Sequence, residues 1–140
     1  MQTQATVVAV ESPVQEIQEW LRNFARAVRE VDYATGRTMF ADDVVSFGSI
    51  NEMLEGLDEL ESRQWRNVWG VTRGFDFDYS SIRCRADGEQ AWAVGLWSSQ
   101  GRNHKGWFNR QGRSTFIFER RDGRWVAVHT HFSMVPPSSI

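Results

Sequence analysis

A single cysteine, Cys84, stands among 140 residues, so no internal disulfide forms and the chain reads as the product of a reducing, cytoplasmic compartment. No apolar run approaches the roughly 18–20 residues that a membrane span requires. Neither sign of charge prevails. Sixteen Lys and Arg against eighteen Asp and Glu leave a net charge of −2, which offers no field to draw in nucleic acid or an anionic membrane. Met1–Val10 carries no basic residue and only a short apolar stretch, so it reads as a poor signal peptide. What the chain does have is apolar and aromatic: 41% hydrophobic residues exclude a disordered chain, and seven Trp and nine Phe are many for this length. The length fits one domain, which buries about two-thirds of its surface and needs no disulfide or metal staple.

Residues 1–12 read as a flexible arm, 13–136 as the domain and 137–140 as a tail. Ser12-Pro13 is a helix start, with a hydroxyl cap and a proline in the first turn. Val14, Ile17, Leu21, Phe24, Val28 and Val31 then recur at helical spacing, to an end near Asp32–Tyr33. A short helix is expected over Thr35–Phe40, a strand over Val44–Phe47, a loop over Gly48–Gly56 and a helix over Leu57–Trp69. Phe75, Phe77 and Tyr79 alternate with polar residues, and turns at Asp87-Gly88 and Asp122-Gly123 link strands over Ala91–Ser99, Ser114–Arg120 and Arg124–Met134. Gly101–Gly112 reads as a polar connection without an assigned conformation. Helices first and an antiparallel meander afterwards make an α+β fold, helices packed on one face of a strongly curved sheet.

Strand parity places Val126, Val128, Thr130, Phe132 and Met134 toward the helices, and Trp125, Ala127, His129, His131 and Ser133 away from them. Ser114, Phe116 and Phe118 share the inner face of their strand. Ala91, Ala93, Gly95 and Trp97 lie on one face of theirs, where small residues would leave a hollow. Helix residues Trp20, Phe24, Trp65 and Trp69 would close it, and Ser46, Ser99, Ser114 and Thr130 would place isolated hydroxyls in an aromatic wall that includes Phe116 and Phe132. Such concave, largely apolar cavities are the usual small-molecule sites, although the same aromatics would also fill an ordinary core.

Three stretches carry a resemblance: Phe40-Ala41-Asp42-Asp43-Val44; Gly48 with Glu55-Gly56-Leu57-Asp58-Glu59-Leu60; and Arg121-Asp122-Gly123-Arg124-Trp125 running on to His129-Thr130-His131-Phe132-Ser133. Together they resemble the SnoaL-like branch of the nuclear transport factor 2-like superfamily. Phe118–Pro136 is most similar to the association domain of calcium/calmodulin-dependent kinase II. The resemblance implies a cone-shaped α+β barrel, a homodimer, and a choice among cyclases, isomerases, hydrolases, dehydratases and non-catalytic hubs, which fold alone does not make. Aligned on Phe-Ala-Asp-Asp, the base of ketosteroid isomerase falls on Gly48, its tyrosine on Phe24 and its neutral aspartic acid on Ser114, so that acid–base set is missing. The arginines of the kinase domain's anion pocket fall on Trp97, Phe116 and Phe132.

His129 and His131 project from one strand face, and with His104 or Glu119 such a pair can hold a metal; the parity, however, puts both opposite the cavity, and neither a metal nor a cofactor is expected. His131 could serve as an acid or base only if a bulge reversed that parity. Asp42 and Asp43 point apart on entering a strand and serve a turn; Asp43, toward the cavity mouth, is the carboxylate to consider for catalysis, with Ser114 and Thr130 as hydrogen-bond donors. The expectation is an enzyme that binds an uncharged apolar or aromatic molecule and performs cofactor-independent isomerisation, cyclisation or hydration. The alternative is a non-catalytic ligand-binding or oligomerisation domain.

Overall fold

The computed structural model describes residues 12–137, so the arm expected before Ser12 and the last three residues of the tail lie outside the described residues. Helix α1 (Pro13–Glu30) starts at the expected cap. Ser12 Oγ accepts the Gln15 N–H at 3.2 Å and the Gln15 side chain accepts the Ser12 N–H at 2.8 Å, a reciprocal capping box. Ile17, Trp20, Leu21, Phe24 and Val28 form its buried side. Val31 leaves the stripe because the helix ends there in the left-handed conformation, at φ 53°. Asp32 then caps α2 (Tyr33–Thr38) through the Thr35 N–H, which starts that helix two residues before the expected Thr35.

Strand β1 (Phe40–Phe47) takes in Asp42 and Asp43, so the pair lies within a strand and not at a helix end. A two-residue strand, β2 (Leu54–Glu55), interrupts the expected loop. The helix expected over Leu57–Trp69 is broken into α3 (Leu57–Leu60), a π-helical turn (Glu61–Trp65), α4 (Arg66–Val68) and a 3-10 turn (Trp69–Val71). Trp65 and Trp69 emerge from it stacked, their rings 4.6 Å apart at 22°. Strands β3 (Thr72–Phe77), β4 (Arg83–Asp87), β5 (Gln90–Asn103), β6 (Gly106–Arg121) and β7 (Arg124–Met134) follow.

Residues 101–112, without an assigned conformation from sequence, are strand and turn. They form the outer half of one long β5–β6 hairpin, with Gln100 opposite Asn109, Gly101 opposite Phe108 and Asn103 opposite Gly106. The turn at His104-Lys105 is closed by the Asn103 side-chain oxygen, which accepts the Lys105 N–H at 2.8 Å. Gly106 at φ +107° supplies a backbone conformation that other residues rarely adopt.

The sheet runs β2-β1-β7-β6-β5-β3, with β4 also paired to β5. It is mixed where an all-antiparallel sheet is expected, because β1 and β7 run parallel; parallel neighbours need a long crossover, and here almost the whole domain supplies it. The sheet is curved but not closed into a true barrel. Bulges interrupt its register between Phe40 and Val45, between Arg73 and Asp76, and on β7.

The β7 bulge revises the expected interior. Ile117 pairs with His129 but Phe118 pairs with Ala127, so Val128 is an extra residue and the parity of β7 changes across it. Trp125 and Ala127, expected outside, join the core, while Thr130 and Phe132 stay inside as expected and Met134 is exposed. His129 and His131 lie beyond the bulge and remain on the outer face. None of the described helices is long and apolar enough to cross a membrane.

Candidate functional site

The core is a pile of rings between α1 and the sheet. Phe116 has 1% of its surface exposed and lies 5.4 Å from the ring of Trp20, 5.9 Å from Phe77 and 5.5 Å from Phe132. Gly95, one of the small residues expected to open a hollow, is covered instead: a Cβ there would sit 2.3 Å from Ile82 Cδ1. That end of the sheet is filled.

The space lies further along, at the end of the sheet that carries Trp97 and Ser99. A cavity of about 60 Å³ is lined by Phe24 and Val28 of α1, Phe40 of β1, and Leu60, Gln64, Trp65, Val68 and Trp69 of the broken helix. Thr72, Phe75, Trp97, Ser99, Arg110, Thr130 and Phe132 complete the sheet side, with Ser49 at the loop after β1. Two glycines shape it. The indole of Trp97 lies across Gly112, and the amide of Gln64 occupies the space beside Gly48, where a Cβ would fall 1.6 Å from Oε1. Gly48 is the position that the resemblance assigns to a catalytic base, so an amide stands beside the place where that base would project.

The expected pocket residues divide accordingly. Phe24, Trp65, Trp69, Trp97, Ser99 and Phe132 line the cavity. Trp20, Ser46, Ser114 and Phe116 do not; they belong to the packed interior, with Ser46 Oγ and Thr130 Oγ1 paired at 2.7 Å and Ser114 Oγ donating to the Gly95 carbonyl at 3.0 Å. Of the residues considered for catalysis, only Thr130 reaches the wall. Asp43 is exposed and paired with Arg121 at 3.0 Å, whose hydrogen bond holds its carboxyl below the usual aspartate value. His131 is exposed on the outer face with its ring against Phe47, and His129 Nδ1 donates to the Val45 carbonyl at 2.8 Å. Among the described residues no three of His, Cys, Asp and Glu converge on a metal-sized site. Burial raises the Cys84 thiol above its ordinary pKa.

From sequence the wall holds only aromatic rings and isolated hydroxyls; the structure adds an ionised side chain, Arg110. It stands opposite Ser99 in the β5–β6 register; its Nη2 donates to Ser49 Oγ at 2.9 Å, and its guanidinium carbon is 5.5 Å from the centre of the Trp97 ring. Burial lowers its pKa from the usual guanidinium value, and it has no carboxylate partner among the described residues. Two further wall atoms, Ser99 Oγ and Gln64 Oε1, are buried with no hydrogen-bond partner there. A buried polar atom left unpaired costs about 1–3 kcal/mol, so this end of the cavity is built to meet polar groups.

The sequence matches the profile of the SnoaL-like domain over residues 17–137. The chain belongs to the SnoaL-like domain family. Solved structures of low identity share its fold. A nuclear transport factor 2-like superfamily protein from Salmonella enterica subsp. enterica serovar Typhimurium superposes with a TM-score of 0.79 at 16% identity, covering 90% of this chain and 93% of its own. A Xanthomonas campestris protein named as a calcium/calmodulin-dependent protein kinase II association domain gives 0.76 at 19% identity, covering 96% of both chains. A Shewanella frigidimarina protein named as a ketosteroid isomerase gives 0.70 at 17%, covering 82% of this SnoaL-like chain and 92% of its own. No curated protein matches the sequence.

Proposed function

We propose that this SnoaL-like domain binds a small molecule with an apolar or aromatic body, its apolar part entering the cavity between α1, the broken helix and the sheet and any aromatic ring standing at the mouth. The single observation that carries the reading is the wall itself. Indole and phenyl faces surround the space, while Ser99 Oγ and Gln64 Oε1 stand unpaired beside Arg110. An uncharged ligand follows from a wall without ions, and with Arg110 present that premise no longer holds.

The described lining residues include no carboxylate and no imidazole, which favours binding and orientation over proton transfer. Cofactor-independent isomerase, cyclase or hydratase chemistry is the second reading. It is favoured by Arg110, a preorganised cation suited to a developing oxyanion, with water as the proton acceptor. A tryptophan-fluorescence titration with apolar and aromatic alcohols, amides and acids tests the pocket; saturable changes are expected from several, and none from any would remove the reading. Turnover of a bound compound would choose the second.

We further propose a homodimer formed by the outer sheet face and a cytoplasmic location, the latter resting on the lone Cys84. Trp92, Leu96 and Ile117 are 41%, 46% and 41% exposed on that face, and Trp92 and Ile117 are direct cross-strand neighbours. Sedimentation equilibrium should give twice the chain mass, and Ile117→Glu should shift it to the monomer. A monomeric wild type at high concentration would end the proposal.

A further inference from the structure

The cavity's polar end is positive: Arg110 is the one ionised side chain among the described residues that line it. A second hollow, of about 450 Å³, shares Ser99 and Arg110 with the first and adds Arg73, again without a carboxylate among its described lining residues. Arg110 is half-buried, its stem packed across Gly101, and among the described residues its hydrogen-bond acceptors are the Ser49 hydroxyl and the Met134 sulfur. Ser99, its cross-strand neighbour, is 7% exposed and keeps in the same wall a hydroxyl with no partner among the described residues. A partly dehydrated guanidinium beside an unspent hydroxyl is matched by a carboxylate, which can accept from both with charge-assisted bonds.

We infer that the pocket selects a short-chain monocarboxylate, its carboxylate held by Arg110 and Ser99 and its tail lodged among Trp97, Phe75, Phe132 and Trp69. This rests on the reading of the cavity as a ligand pocket. The tail length follows from volume. The space of about 60 Å³ behind the mouth is under half of the roughly 150 Å³ that admits benzene to a buried cavity, so a tail of butyrate size enters and a ring stays at the mouth. Arg110 does not lie at the positions that the kinase-domain resemblance assigns to arginines (Trp97, Phe116 and Phe132), so the anion is read from this wall.

The test compares sodium butyrate with butyramide, its neutral isostere, by tryptophan fluorescence and calorimetry on the full chain, with sodium chloride at matched ionic strength as the blank. Butyrate should bind at least about tenfold more tightly than butyramide, the discrimination of a hydrogen bond to a charged group. Arg110→Gln should abolish that preference and leave butyramide unchanged; Arg110→Lys should keep part of it; Ser99→Ala should weaken butyrate severalfold. Equal binding of the two compounds, a matching response to chloride, or butyrate binding unaltered by Arg110→Gln would overturn the carboxylate inference and leave the pocket standing. Silence from both compounds and from the alcohol and amide panel would remove the pocket itself. Should Arg110→Gln fail to fold, the butyrate-to-butyramide ratio in wild type and Ser99→Ala still decides.

Discussion

Gly112→Ala should destabilise the domain by about 3 kcal/mol, a large effect for one methyl group. A Cβ at residue 112 would lie 2.1 Å from Trp97 Cζ2, 2.2 Å from Cε2 and 2.5 Å from the Ser133 carbonyl oxygen. Neither neighbour yields readily. Trp97 is 4% exposed and its indole N–H donates to the Arg113 carbonyl at 3.2 Å, while Ser133 belongs to the paired backbone of β7. The methyl must therefore push β7 from β6 or turn the indole into the cavity, and either movement overpacks a well-filled interior. For a domain of this size the loss corresponds to a fall of about 10 °C in Tm. Gly70→Ala is the control: nothing lies within 4 Å of its Cβ position and its φ is not positive, so it should stay within about 0.5 kcal/mol of wild type or gain slightly. Urea melts of both variants measure the difference. If Gly112→Ala matched Gly70→Ala, the indole would not rest on Gly112, and the described cavity wall would be wrong.

Much of this arrangement was legible because strand parity is local. The alternation of Ser114, Phe116 and Phe118 is written in consecutive residues, and the structure keeps all three inside. Ser12-Pro13 marks the start of α1 for the same reason, since a cap needs only its next three residues. What failed was non-local. Val128 looks like any β-branched strand residue, and only its pairing with β6 makes it the extra one, so unbroken parity puts Trp125 and Ala127 on the outer face. Leu57–Trp69 has helical spacing throughout, which does not distinguish an α-helix from one broken by a π turn. Arg110 is hidden because Gly101–Gly112 carries no assigned conformation from sequence: of its glycines only Gly106 serves a turn, while Gly101 and Gly112 let the side chains of Arg110 and Trp97 lie across them. Extending the parity of Ser114 back through Gly112 would have placed Arg110 on the inner face. Gln64 gives no such signal, because its position beside Gly48 depends on two segments that meet only in the fold.

Phe116→Ala should cost about 4 kcal/mol, the range for removing a buried phenyl ring without collapse of its surroundings. The sequence grouped Phe116 with the pocket wall; the structure places it behind, stacked on Phe118 at 5.9 Å and 9° and flanked by Trp20, Phe24, Phe77 and Phe132. Those neighbours are held by one another as much as by Phe116. Phe24, for instance, also contacts Phe40, Trp65, Trp69 and Phe75, so the rings around the vacated volume have little freedom to close it. The resulting void would be apolar and dry, of the kind that admits benzene. Benzene should then raise the Tm of Phe116→Ala, because a ligand that binds only the folded state stabilises it by mass action, and should leave that of wild type nearly unchanged. Phe116→Leu, which refills most of the space, should cost about 1–2 kcal/mol and show no benzene response. The discriminating quantity is the difference between the two variants with and without benzene. A loss below about 1 kcal/mol in Phe116→Ala, or an equal benzene shift in wild type, would mean that Phe116 borders open space after all and that the partition between packed rings and pocket is drawn in the wrong place.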